Sequence, residues 1–319
     1  MKNYNDLIRL VRDTGARESN RTGIDTLTLP GEMLKFDTRD GFPATTSKKL
    51  AFDPVKGELI GFMRGYTSAA QFRALGCRVW NQNANENEAW LKNPHRKGVD
   101  DLGPVYGSQW RNWPSFKQLD ENAPLHLVEK IKADNWEEIG DYHFADQHRV
   151  FYKHTDQLAN ALHDVRHNSQ SRRILVSAWN PAVMDQVALP ACHVLFQFLP
   201  RSDGTLHMTV IMRSVDMFLG APFNIASYAL LLELFAKWSD RTAATLTMFL
   251  SDVHIYVNHL DLVEEMLSRT PFDPPELDVV VPVGAAIMSL DELVLGIEPN
   301  DIQLLNYKHH PSIKAPMAV

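Results

Sequence analysis

Cysteine is scarce in this chain: 319 residues hold two, Cys77 and Cys192. Two thiols cannot build a disulfide framework, and no CxxC pair suggests zinc. A reducing cytoplasmic setting with no bound metal is therefore expected. An excess of positive charge is also missing. The 32 basic side chains against 39 acidic ones give a net charge of −7, which argues against a non-specific nucleic-acid binder, because that function needs a basic face. No apolar run reaches the length of a membrane span, and Met1-Lys2-Asn3-Tyr4-Asn5 opens without the apolar stretch of a signal peptide. Repeats and Gly/Ser linkers are absent, so one domain over residues 1–319 is expected. Apolar residues make up 45% of the chain, enough for a sizeable core and too many for disorder.

The thiol at 192 organises the rest. Ala188-Leu189-Pro190-Ala191-Cys192-His193 leads into Val194-Leu195-Phe196-Gln197-Phe198, an alternating, aromatic-rich run that predicts a strand. Pro190 cannot donate to a ladder and belongs just before it. Cys192 therefore stands at the mouth of a strand, beside an imidazole. A buried cysteine is commonly no more than a small hydrophobe. To act as a nucleophile it needs a cation nearby that favours the thiolate.

Along the chain, Tyr4 to Val11 reads as an amphipathic helix with Leu7, Ile8, Leu10 and Val11 on its apolar side. Glu18 to Gly23 is a polar loop with Arg21 at its tip. Thr26–Leu29 and Glu32–Phe36, separated by Pro30-Gly31, predict a hairpin, and Asp40 to Pro43 a turn. Pro54 to Arg64 predicts a helix with its proline near the start. It carries Glu58 among apolar neighbours, either on a wet face or buried with a raised pKa suited to proton transfer. The Asn-rich run from Asn81 to Asn87 and the stretch Asp101–Gly107 read as loops. Residues 115–165 look like a peripheral insertion, irregular apart from one or two short helices, with a better helix from Gln157 to Val165. Ser171 to Pro181 predicts a strand introduced by Arg172 and Arg173, and Leu206 to Arg213 another ending in arginine. Phe223 to Trp238 is the longest apolar helix, with Asn224 near its start. Thr245–Phe249 predicts a short strand and Leu260–Ser268 a helix.

Four arginines, Arg21, Arg172, Arg173 and Arg213, begin or end separate segments. Guanidinium clamps oxyanions bidentately, so their convergence would make a phosphomonoester site beside the thiol. Asn224 at a helix start is commonly a cap. Its amide also offers one acceptor and two donors, which matches the N3–H and O4 edge of uracil and mismatches cytosine.

With these residues in view, the chain resembles the thymidylate synthase family over nearly its whole length. The resemblance rests on Asn20-Arg21-Thr22-Gly23, Asp101 to Gly107, Ser171 to Pro181, Leu189 to Phe198 and the run RSVDMFLGAPFNIASYAL from Arg213 to Leu230. His254-Ile255-Tyr256 with Asn258-His259 and the tail Ile313 to Val319 extend it. It implies an α+β fold, a large mixed β-sheet with flanking helices, and a homodimer joined sheet to sheet. It also implies a reaction: the one-carbon unit of 5,10-methylenetetrahydrofolate passes to C5 of dUMP, giving dTMP and dihydrofolate. Cys192 would add to C6 and turn C5 into an enolate carbon.

By the same resemblance Arg21, Arg213 and Ser214 would bind phosphate. Arg172 and Arg173 would do so across the subunit interface. Asn224 would read the uracil edge, Gln197 would belong to the substrate site, and His254 with Tyr256 would hold the deoxyribose 3′-hydroxyl. Glu58 would manage proton traffic, and Tyr106 and His193 would position water for removal of the C5 proton. Trp80, Asn81, Asp216, Leu219, Gly220 and Phe223 would line the folate site, and the C-terminal Val319 would close over it.

Related nucleotide hydroxymethylases of phages let water rather than hydride finish the reaction, giving 5-hydroxymethyl-dUMP and tetrahydrofolate. One departure from the family pattern bears on this. Asn81 follows Trp80 where synthases usually carry Asp, which removes a charge beside the folate and favours water. The intact tail and Trp80 favour hydride. Asp53 lies where the family often has a basic residue for the folate glutamate tail. A nucleotide- or RNA-binding relic without catalysis would be marked by loss of Cys192, Glu58 or Arg213, and all three are present. Neither a membrane nor a nucleic acid is needed as partner.

Overall fold

The structure, a computed structural model, describes residues 1–139 and 148–316. Its strands are β1 (Ala16–Glu18), β2 (Thr26–Asp37), β3 (Trp113–Asp120), β4 (Glu137–Ile139), β5 (His148–Thr155), β6 (Leu175–Ser177), β7 (His193–Pro200), β8 (Thr205–Met212), β9 (Val215–Asp216), β10 (Thr242–Tyr256), β11 (Glu276–Val279) and β12 (Ile302–Leu305). The main sheet runs β1-β2-β10-β8-β7-β6, with β9 also paired to β10. It is mixed: β10 lies parallel to β8 and β9, and the other pairs are antiparallel. The expected α+β architecture with a large mixed sheet and flanking helices is found.

One face of this sheet is the core. In β8 Leu206, Met208, Val210 and Met212 are buried and alternate with half-buried residues, the period of two that a sheet with one covered face imposes. The helix Gly220–Lys237 covers it. That helix is apolar on nearly every side, as a helix enclosed by protein must be. Its Pro222 lies in the first turn, where a missing N–H costs nothing. Phe198 of β7 stacks on Phe235 of the helix at 4.3 Å. The opposite face is open. Met33, Phe249, Ile211, Leu195 and Ser177 are successive cross-strand partners, so they point the same way. Met33 and Phe249 are about half exposed.

One irregularity in the sheet positions the site. His193 pairs with Met212 but Leu195 pairs with Ile211, an extra residue in β7 of the kind that re-aims side chains beside functional sites. It turns His193 to the buried side while Leu195 faces outward.

Several expected elements differ. The hairpin at Pro30-Gly31 is instead one strand, β2, paired along its length with β10 in a single register. Gly31 absorbs the local strain at φ +73°, which glycine alone does readily. The short strand Thr245–Phe249 is the middle of the 15-residue β10. The Asn-rich loop is helical at Asn81–Asn85 and again at Glu88–Leu91. Of Ser171 to Pro181 only Leu175–Ser177 is strand. Leu10 is partly exposed, whereas Leu7, Ile8 and Val11 are buried. The insertion is more regular than expected: β3, β5 and β4 form an antiparallel sheet beside the helix Leu125–Ala133, around Val128, Trp136 and Phe151. It also ends earlier, because Leu158, Ala161, Leu162 and Val165 of the helix Gln157–His167 pack in the main core.

No helix among the described residues is long and apolar enough to cross a membrane.

Candidate active site

The end of β8 and the start of β7 are neighbours, which brings Arg213 to Cys192. The Arg213 backbone N–H donates to the Cys192 carbonyl at 2.9 Å. Its guanidinium donates to the Ala191 carbonyl at 2.8 Å, to the Pro190 carbonyl at 3.1 Å and to Cys192 Sγ at 3.5 Å. The cation is fixed by two backbone carbonyls and aimed at the sulfur. From the other side, the Cys192 N–H donates to the Tyr106 hydroxyl at 2.6 Å. Cys192 is half-buried with no disulfide partner, the setting of a reactive thiol rather than an inert core one.

His193 is buried beneath it. Burial, and then the charge of Arg213, pushes its pKa down to about 3, so the imidazole is neutral at physiological pH. Asn224 Nδ2 lies 2.8 Å from His193 Nε2. With the amide donating, Nε2 accepts and the proton sits on Nδ1. The Tyr106 ring lies against this imidazole with centroids 4.8 Å apart.

Glu58 approaches from the helix Phe52–Met63. That helix packs closely because two positions lack side chains: a Cβ on Gly57 would lie 2.3 Å from the Leu75 carbonyl, and one on Gly107 would lie 2.4 Å from the Phe62 carbonyl. Glu58 is 6% exposed. Burial pushes its carboxyl up to about 8, opposed by a hydrogen bond that Trp80 Nε1 donates at 2.9 Å. The group is therefore mostly protonated at neutral pH, a carboxylic acid able to give a proton. The other thiol, Cys77, is buried next to it and pushed up to about 12, by burial first and by Glu58 second, which leaves it inert.

These groups line one cleft of 680 Å³. Glu58, Tyr106, Cys192, His193, Arg213 and Asn224 meet there. Arg21, Ser214, His254 and Tyr256 lie on the same wall system. The Arg21 loop is shaped by Asn20, whose amide oxygen accepts from the Thr22 backbone N–H and hydroxyl and whose Nδ2 donates to the Ile24 carbonyl. Trp80, Asp216, Leu219, Gly220 and Phe223 also line it, giving flat and apolar surface suited to a heteroaromatic ring. Asp216 accepts from the Phe218 and Leu219 N–H groups at 2.9 and 3.3 Å and so shapes the turn into the long helix.

Other expected site residues lie elsewhere. Asn81 is outside the cleft lining, and its amide oxygen accepts from Arg73 at 3.0 Å, in a cluster with Asp100. The missing charge at position 81 therefore lies away from the cleft. Gln197 is on the open face of the sheet and donates to the Arg172 carbonyl at 2.8 Å. Arg172 and Arg173 are exposed and do not line the cleft of their own chain. Asp53 pairs with Lys56 at 2.7 Å. Val319 lies outside the described residues.

The structure adds residues that the sequence did not single out: Asn83, Thr22 and Asp252 line the cleft. Asp252 accepts from the Ser214 hydroxyl at 3.1 Å and the Thr28 hydroxyl at 2.5 Å. The signal for it was present. Asp252, His254 and Tyr256 are spaced by two, which places them on one side of a strand, once β10 is known to reach that far. No group of three or more His, Cys, Asp or Glu side chains among the described residues is placed to hold a metal.

Sheet and cleft together define a mixed α and β enzyme built around a cysteine that faces an arginine, a neutral imidazole and a protonated carboxyl. Within that class, the chain belongs to the thymidylate synthase family: the family model described as thymidylate synthase matches residues 2–319. Curated proteins named thymidylate synthase are similar over their full length and the full length of this chain. That of Pseudomonas putida is 44% identical, that of Bordetella parapertussis 43% and that of Pseudomonas syringae pv. tomato 41%.

Proposed function

We propose that this enzyme transfers the one-carbon unit of 5,10-methylenetetrahydrofolate to C5 of dUMP, producing dTMP and dihydrofolate. The observation that carries the reading is the cleft itself, in which the Cys192 sulfur, the Arg213 guanidinium, the protonated Glu58 and the Asn224 amide converge. Family membership and the names of the full-length relatives support the same reaction.

Cys192 Sγ adds to C6 of the uracil ring, and the displaced electron pair makes an enolate with nucleophilic C5. Arg213, Arg21 and Ser214 hold the phosphate. His254 and Tyr256 take the 3′-hydroxyl, and Asn224 reads N3–H and O4. The folate supplies the methylene carbon and the hydride. Glu58 gives and takes protons near O4 and the folate. Tyr106 and neutral His193 orient the water that removes the C5 proton. Trp80, Leu219 and Phe223 pack on the pterin, with Asp216 at its polar edge, and together they exclude water. Elimination of the Cys192 thiolate frees the product. A reducing cytoplasm suits an enzyme whose nucleophile is a free thiol.

Asn224→Asp is the direct test of base reading. A protonated carboxyl serves the cytosine N3 acceptor, so kcat/KM for dUMP is expected to fall by roughly 10²-fold while dCMP gains. An unchanged preference would remove Asn224 from base recognition.

The reading includes a homodimer formed by residues 1–319 as one unit. The open sheet face, with the apolar side chains of Met33, Phe249 and Leu175, gives two copies an apolar surface to bury. Arg172 and Arg173, exposed beside that face, would each reach the neighbouring copy's phosphate. Arg172→Glu and Cys192→Ser should both be nearly inactive alone. Unfolded together and refolded, they are expected to recover about a quarter of wild-type activity, since random pairing gives one intact site in half of the dimers. No recovery would place the arginines outside the partner's site.

A further inference from the structure

We infer that Asp252 is a positioning residue for the sugar end of the nucleotide, its carboxylate fixing the His254 imidazole so that Nε2 is left as an acceptor for the 3′-hydroxyl. The inference rests on the nucleotide reading of the cleft given above. It begins in the register of the sheet. Asp252 and His254 are two apart on β10, so both face the cleft, and His254 is paired with Thr28 of β2. Asp252 Oδ2 lies 3.5 Å from His254 Nδ1. A carboxylate can only accept, so the imidazole nitrogen facing it carries the hydrogen. The other nitrogen, Nε2, keeps its lone pair and makes no hydrogen bond among the described residues.

The carboxylate is braced. Thr28 Oγ1 donates to one oxygen at 2.5 Å, and the Ser214 hydroxyl donates to the other at 3.1 Å. Contact with His254 is the leading cause that holds the Asp252 carboxyl down at about 2, with Thr28 and Ser214 adding to it against burial. Asp252 is thus ionised wherever the enzyme works, and Thr28 keeps its orientation set when the single Ser214 O–H turns to the phosphate. Such a partner behind an imidazole fixes its tautomer and its ring orientation. The nucleotide hydroxyl donates to that nitrogen and accepts from the Tyr256 phenol.

The experiment compares wild type and Asp252→Asn in the full chain, with dUMP and with 2′,3′-dideoxyuridine monophosphate, which lacks the hydroxyl. The expected result is a rise of about tenfold in KM for dUMP with kcat within about twofold, and no difference between the two proteins on the dideoxy substrate. In a His254→Ala background the Asp252→Asn change should have no further effect. Thr28→Val keeps the carboxylate but removes its shortest bond. It should move KM for dUMP in the same direction by about threefold, and no other substrate parameter. Equal losses on both substrates would overturn the proposal, showing that Asp252 serves Ser214 or the fold. An unchanged KM for dUMP would overturn it as well. Wild-type protein that turned over neither nucleotide would instead strike the reading on which the inference stands.

Discussion

Cys192→Ser is expected to lower turnover by on the order of 10⁴-fold or more, because the reaction loses its nucleophile while the rest of the cleft is kept. A serine hydroxyl does not ionise near neutral pH, and Arg213, which donates to the sulfur at 3.5 Å, cannot make up that difference. Binding of dUMP should change far less. The anchors proposed for it, Arg213, Arg21, Asn224 and His254, line the same cleft and are untouched by the substitution. Two measurements check this. Equilibrium binding of dUMP should stay within about tenfold of wild type. Mass spectrometry of quenched protein should find a nucleotide adduct on the wild type and none on the variant. A variant with near-normal rate would mean that Cys192 is a structural thiol and that the chemistry is non-covalent.

Glu58→Gln is expected to cost about 10² to 10⁴ in kcat, the usual worth of a positioned acid or base, and at the same time to make the protein more stable at neutral pH. The two effects have one cause. Burial raises the Glu58 pKa from its ordinary 4.5 to about 8. Below pH 4.5 the carboxyl is protonated in both the folded and the unfolded chain, and it contributes no pH dependence. Between 4.5 and 8 the unfolded chain releases the proton and the folded chain keeps it, so folding loses stability as the pH rises through that window. At pH 7.5 the loss is roughly 1–4 kcal/mol. Glutamine removes the titration and with it this cost. The midpoint of thermal unfolding of the variant should therefore exceed that of the wild type at pH 7.5, and the gap should close toward pH 4.5. In the wild type, a rate carried by the protonated acid should fall as pH passes about 8. A destabilised variant at pH 7.5 would show that Glu58 is charged in the folded protein and held there by a partner.

This trade between stability and chemistry explains part of what could be read from the sequence. Elements whose burial is simple were legible. The helix Gly220–Lys237 is apolar nearly all round, and β8 alternates strictly, so pattern alone located both. Cys192 at the head of β7 followed from Pro190 and the alternation after it. Elements set by long-range pairing were not legible. Pro30-Gly31 has the composition of a turn, yet β2 runs straight through it because β10, from Thr245 to Tyr256, pairs with it from end to end. The insertion hid its strands because they are short, lie on a small core of three buried residues and carry many charges. Asp252 was missed for a related reason: it becomes a cleft residue only when β10 is known to continue past Phe249. Asn81 was singled out by its place next to Trp80, and a helical turn carries the two side chains in different directions, Trp80 toward Glu58 and Asn81 toward Arg73.

The central claim is that Cys192 and its cleft convert dUMP to dTMP with hydride from the folate. One tube tests it: the enzyme incubated with dUMP and 5,10-methylenetetrahydrofolate, nucleotides resolved by mass, and dihydrofolate followed by its absorbance. Thymidylate is expected, with one dihydrofolate formed for each. Hydroxymethyl-dUMP without dihydrofolate, or no change in the nucleotide at all, would contradict it.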